Sequence, residues 1–312
     1  MTSTSPDASR KSSALSASWQ GALFALAATV VWSFNFIAAR GLIDTIPPCT
    51  LAFGRWLTAF LAVLPFALPA LRREWRHLLP HWGYYLLVSL IGIAFFNTAI
   101  YKGAHTVPAL NMTLIATTAP LFTLLLARLF FGEGINALRA AGIVTAFCGV
   151  ILLICRGDLG VLASLSFHEG DLLLLAASLS FSIYTLLVRK KPEGCGLLSY
   201  FAITFGLGMI LLLPAAVWEY TQGMRIQFTP ALAGGLLYMG LGASLLAFWC
   251  WAKAISLIGP GRSSIIYYSL PLFAGIEAVL FLGEPVLWVH FVSGALIVGG
   301  LVMSTGEKKR IH

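Results

Sequence analysis

Two charges, Arg55 and Glu277, interrupt runs that are otherwise apolar, and amides and rings recur in similar settings: Asn35, Asn97, Tyr101, Asn111, Tyr184, Trp249, Trp251, Tyr267 and Tyr268. These residue types suit recognition rather than bond cleavage. A guanidinium holds a carboxylate, amides and hydroxyls fix a polar head, and aromatic faces receive an apolar body. Asn97 and Tyr101 are four apart and so share one face of a helix. The competing reading is architectural, with Asn, Thr117 and Thr118 as glue between helices worth about 0.6 kcal/mol each and the rings simply packing. Residue by residue that reading is the better one; taken as a set, the residues point to a cavity with a polar and an aromatic side.

Strings that would indicate catalysis fail on context. His168-Glu169 lacks the second histidine of a zinc helix, and Gly206-x-Gly208 sits inside an apolar run with no strand before it. Asn111-Met-Thr113 fits a glycosylation sequon but opens an apolar run, and no Asp or His is central in any such run. The five cysteines (Cys49, Cys148, Cys155, Cys195, Cys250) are scattered without a CxxC pair, which reads as free thiols used in packing. The chain is therefore expected to be no enzyme and to need no metal or cofactor.

The medium that must position these residues is set by composition. Of 312 residues 59% are hydrophobic and 10% charged, against roughly 45–50% and 25% in soluble domains. A soluble fold could not bury so much apolar surface, so the expected class is an all-α polytopic membrane protein with the lipid bilayer as its partner. The net charge of +8 does not collect on a water-exposed domain, and nucleic acid is excluded as a partner.

Residues 1–18 are polar and Ser-rich and read as a disordered tail. The next apolar run is too long for a signal-peptide core and is retained as an anchor. Ten transmembrane helices follow, at about 20–39, 49–70, 83–102, 108–128, 138–155, 171–188, 197–217, 231–252, 259–282 and 286–304, each able to cross ~30 Å of hydrocarbon. Trp19, Trp82, Trp218, Tyr220 and Trp288 fall near their ends, where amphipathic rings prefer the headgroups. With the amino end inside, 15 Lys and Arg fall in cytoplasmic segments and four (Arg40, Lys102, Arg156, Arg225) in outer ones. That asymmetry predicts both termini in the cytoplasm, and the cytoplasmic (inner) membrane as the location.

The halves repeat. Shifted by 149 positions, LAATVVWSFNFIAAR (26–40) lies over LAASLSFSIYTLLVR (175–189), and Pro65 over Pro214. At 151–152, Pro108 lies over Pro260, Pro120 over Pro271, and Gly132-Glu133 over Gly283-Glu284. Five helices per half is odd, so residues 19–155 and 167–304 form two inverted five-helix repeats, with a basic tail at 305–312. Inverted repeats are a signature of secondary transporters. Gly142-xxx-Ala146 and Ala295-xxx-Gly299 read as close-packing motifs.

These repeated motifs also carry a resemblance. WSFNFIAAR (32–40), AFGRWLTA (52–59), IYKGAHTVPALNMTLIATTAPLFTLLLARLFFGE (100–133) and WAKAISLIGPGRSSIIYYSLPLFAGIEAVLFLGE (251–284) resemble the EamA-type members of the drug/metabolite transporter superfamily, over nearly the whole chain. The overall pattern is most similar to the YddG-like amino-acid exporters. The resemblance implies outward transport of small molecules, neutral and aromatic amino acids among them. One departure matters: many members carry Glu before the proline of helix 9, where this chain has Leu270, so no role of that carboxylate transfers.

Alternating access through a central cavity is then the expected mechanism, run on a substrate or ion gradient because no ATP-binding motif occurs. Efflux of lipophilic drugs or other metabolites is the alternative, and a non-transporting receptor or assembly subunit the competing class. Pro120 and Pro271 are candidate hinges, each expected to break a hydrogen bond near mid-helix, or else static kinks. Arg55 and Glu277, each ~10 Å below the outer boundary at 1.5 Å per residue, are expected to pair as an outer gate, with Arg55 engaging a substrate carboxylate. Independent snorkelling to the headgroups is the other reading.

Overall fold

The computed structural model describes residues 6–42, 44–106, 115–116, 118–132, 136–154, 157, 169–282 and 288–305. Asn111 and Cys155 lie outside them. All regular structure among the described residues is helical, as an apolar chain must be when lipid offers its backbone no partners.

In order the helices are α1 (Pro6–Leu42), α2 (Pro48–Leu78), α3 (Trp82–Ser89), α4 (Phe96–Thr106), α5 (Ala119–Phe131), α6 (Ala137–Ile154), α7 (Glu169–Arg189), α8 (Leu197–Thr221), α9 (Pro230–Leu237), α10 (Ala247–Tyr267), α11 (Leu270–Leu282) and α12 (Trp288–Thr305). Two π-helical turns, Leu90–Phe95 and Tyr238–Leu246, join α3 to α4 and α9 to α10 without a break. Five stretches are long and apolar enough to cross a membrane: Ala17–Ala39, Pro48–Gly103, Leu172–Arg189, Leu197–Thr221 and Pro230–Tyr267. The second has 56 residues, far more than the ~20 one crossing takes, and the 3₁₀ turn Leu79–His81 divides it. Helix α1 begins inside the segment expected to be a tail, in a run of Ala, Ser, Arg and Lys that tolerates helix. The expected interfacial rings Trp19, Trp82, Trp218, Tyr220 and Trp288 are all exposed.

The packing follows the repeat. Helix α1 lies on α10 and α11; α7, its counterpart, lies on α4 and α5. The self-related pairs are α2 with α8 and α6 with α12. Between α6 and α12 the backbones nearly touch, and a Cβ on Gly300 would stand 2.5 Å from the Gly142 carbonyl and 2.6 Å from the Ala146 nitrogen. The expected Gly142-xxx-Ala146 motif is therefore in the contact, but its partner is Gly300; Gly299 has open space.

The prolines sit differently from expectation. Pro120 and Pro271 are each the second residue of a helix, α5 and α11, where a missing N–H leaves no carbonyl wanting. The helix expected over 259–282 is two, separated at Tyr268–Ser269, and Gly259, at φ +79°, bends the chain before it. The turns before the two prolines repeat: Thr118 and Ser269 each donate both N–H and hydroxyl to the carbonyl three residues back, Ile115 and Ile266.

Helices α2 and α8 also close each other's ends. The Glu219 carboxylate, 1% exposed near the end of α8, accepts from the Cys49 and Thr50 N–H groups and from the Thr50 hydroxyl, each at 2.8 Å. Glu74, near the end of α2, accepts from the Gly196 N–H at 2.8 Å, at the start of α8. Both satisfy orphan donors and place negative charge at a positive helix end.

Candidate functional site

Arg55 faces inward from the second turn of α2 and is 3% exposed. Its Nε donates to the Ser244 hydroxyl at 2.5 Å, Nη1 to Asn35 Oδ1 at 3.3 Å and the Tyr101 hydroxyl at 3.0 Å, and Nη2 to the Ala243 carbonyl at 3.0 Å. The guanidinium also sits 5.3 Å from the Trp56 ring centroid. All four acceptors are neutral. Arginine has five N–H donors, and four are used here, so the second N–H of Nη2 has no protein acceptor among the described residues.

The Ala243 carbonyl is available because it lies in the π-turn Tyr238–Leu246, where widening of the turn disturbs the ordinary hydrogen-bond ladder. It also accepts from Trp32 Nε1 at 2.8 Å. The matching π-turn behaves alike: the Ile91 carbonyl accepts from the Ser180 hydroxyl at 2.6 Å, and the Ile93 carbonyl from Asn97 Nδ2 at 2.8 Å. Each turn also admits its neighbour closely. A Cβ on Gly92 would meet the Tyr184 ring at 2.1 Å, and one on Gly240 would meet Thr58 Cβ at 2.5 Å.

A small pocket of about 20 Å³ opens beside this cluster, lined by Arg55, Asn35, Asn97 and Tyr101 together with the rings of Trp32, Phe36, Phe96, Phe181 and Tyr267. Trp32 is the hub of the aromatic side, with ring centroids 5.3 Å from Trp251, 5.4 Å from Phe181, 5.5 Å from Phe248 and 6.1 Å from Tyr267. The arrangement can grip an anionic head by charge-assisted hydrogen bonds, and the rings beside it would meet an apolar body once the space widens.

Of the residues singled out from sequence, Asn35, Arg55, Asn97, Tyr101 and Tyr267 converge here. Tyr184 lies behind the wall, 5.4 Å from the Phe248 ring and 6.2 Å from that of Phe181. Trp249 turns outward against Phe24, and Tyr268 is buried towards Phe147 on α6. Trp32, Phe96 and Phe181 were missed; the signal for Trp32 was present, three residues before Asn35 on one face of α1.

The ion pair expected between Arg55 and Glu277 is not formed. Glu277 Oε1 accepts from the Ser33 hydroxyl at 2.7 Å, while Oε2 is buried with no hydrogen-bond partner among the described residues. Ser33 and Asn35 are two apart on α1 and point to opposite sides of it. Their partners, Glu277 and Arg55, are thus divided by that helix. Equal depth in the bilayer does not fix the bearing around it.

Comparison with known proteins agrees with this architecture. A solved crystal structure superposes with a TM-score of 0.71 at 18% identity, covering 91% of this chain and 96% of the other; at that identity the likeness speaks to fold alone. Three relatives span most of their length with this chain. They are the uncharacterized transporter YdfC of Bacillus subtilis (strain 168), 28% identical over 87% of this chain and 86% of the relative; the uncharacterized inner membrane transporter YedA of Escherichia coli (strain K12), 26% identical over 91% and 90%; and an uncharacterized transporter of Archaeoglobus fulgidus, 25% identical over 89% and 95%. The EamA-like transporter family matches twice, over residues 19–155 and 168–306, once for each of the repeats read from the sequence. With both halves of its length accounted for in this way, the chain belongs to the EamA-like transporter family, whose members carry small molecules across a membrane.

Proposed function

We propose that the protein is a secondary transporter of the cytoplasmic membrane that exports neutral and aromatic amino acids by alternating access, with both termini in the cytoplasm. The observation that carries this reading is Arg55: a buried cation with only neutral acceptors, lining a pocket it shares with aromatic rings. A buried charge without a counter-ion is costly, and a substrate carboxylate would supply that ion. Asn35, Asn97 and Tyr101 orient the head, and Trp32, Phe181 and Tyr267 take the side chain. The turns before Pro120 and Pro271 act as hinges, and the Ser33–Glu277 contact joins α1 to α11.

Cells overexpressing the protein test this against efflux of lipophilic drugs. Resistance to toxic aromatic amino-acid analogues is the expected result, with none to cationic dyes. Resistance to the dyes alone would replace the amino-acid reading with the lipophilic one.

A further inference from the structure

A second cavity lies away from Arg55, at the opposite end of the bundle. It has a volume of about 630 Å³, between the end of α7, the start of α8 and the second half of α10. Its lining combines Arg189, Lys191 and Lys253 with Leu197, Ile255 and the ring of Tyr200, and no carboxylate contributes. The nearest acidic residue of α2, Glu74, is engaged by the Gly196 N–H. Tyr200 is fully buried, with its hydroxyl among those of Tyr84 and Tyr184. Two lysines, Lys191 and Lys253, beside apolar walls and the buried Tyr200 ring form a basic, amphipathic site.

From the floor a succession of rings leads inward. Tyr200 lies 5.8 Å from Phe201, Phe201 5.1 Å from Phe205, and Phe205 4.8 Å from Trp56, beneath the Arg55 guanidinium. The cavity thus stands at the basic end of the bundle, separated from the Arg55 pocket by aromatic side chains.

We propose that this vestibule is a second binding site, which collects water-soluble amphipathic carboxylates from the basic face of the protein before they reach Arg55. Lys191 and Lys253 attract the carboxylate, and Leu197 and Ile255 cover the apolar body. Lys191 also donates to the Cys195 carbonyl, which fixes its ammonium at the mouth and leaves it further donors. The identity of the face rests on the proposed orientation; binding itself does not, and it is independent of Arg55.

The test reads the vestibule directly. Ser256, an exposed residue of the lining, is changed to Cys in the full chain, held in nanodiscs of phosphatidylcholine, and its maleimide labelling is followed by mass spectrometry of that peptide. Benzoate should slow labelling at least threefold and benzyl alcohol should not. The protection should fade as salt rises and vanish in the K191Q/K253Q double variant. Lys253→Arg, which keeps the charge, should retain it. Failure of benzoate to protect, or equal protection by benzyl alcohol, overturns the proposal. Protection that instead follows addition of phosphatidylglycerol, with no effect of benzoate, shows a lipid site and also overturns it. No transport is measured, so an outcome here is separable from failure of the Arg55 reading.

Discussion

Glu219 and Glu74 cap each other's helices. The first, on α8, receives the Cys49 and Thr50 amides that open α2, and the second, on α2, receives the Gly196 amide that opens α8. Two antiparallel helices are thereby fastened at both ends by carboxylates near the ends of matching helices in the two halves. The pair carries Arg55 and Trp56 on its inner side, so the clamp holds the wall that bears Arg55.

Removing the buried end of that clamp should be the more damaging change. Glu219→Ala leaves one buried and one half-buried N–H group without its carboxylate, at about 1–3 kcal/mol for such a loss. Glu74→Ala should cost less, about 0.5–2 kcal/mol, in the range of an ordinary cap. Thermal unfolding of the purified variants in detergent checks the order.

Alanine at the two π-turn glycines should disturb packing. A Cβ at Gly92 or Gly240 enters space held by Tyr184 or Thr58, and overpacking of this kind costs about 1–3 kcal/mol. Gly83→Ala, with nothing within 4 Å, should be neutral or stabilising by up to about 1 kcal/mol. Equal melting temperatures for all three would show that the π-turns relax freely.

Trp32→Ala should reduce resistance to aromatic analogues severalfold more than Trp249→Ala. The first ring meets four others around the pocket, while the second packs against Phe24 at the periphery. Growth curves at graded analogue concentrations, normalised to protein in the membrane, give the comparison.

Reporter fusions at Gly194 and His312 should both report the cytoplasm, and one at Gly223 the outside. The expectation follows from the basic asymmetry of 15 against four. An external carboxyl end would contradict the inverted repeat along with the orientation.

Much of the architecture was legible because lipid leaves an apolar chain few choices. Run lengths gave the all-helical class, and the displaced Pro and Gly-Glu matches gave a repeat that the family match also shows as two. What could not be read was rotation about each helix. A π-turn inserts a residue and turns every later side chain by about 100° relative to a straight helix. Trp249 and Trp251 both follow such a turn, so counting along the run could not say which faced inward. Depth was similarly insufficient for Arg55 and Glu277, which α1 separates. Glu219 carried no motif, because its partners are backbone amides 169 and 170 positions away.

The account stands on Arg55 as the residue that holds a carboxylate. In proteoliposomes of the purified protein, uptake of labelled phenylalanine is measured with unlabelled phenylalanine or phenethylamine, its analogue without the carboxylate, as competitor. The account predicts competition by phenylalanine alone, and at least a tenfold fall in uptake for Arg55→Lys, a change that keeps the charge but loses the planar fork. Equal competition by phenethylamine, with Arg55→Lys transporting like the parent protein, would contradict it.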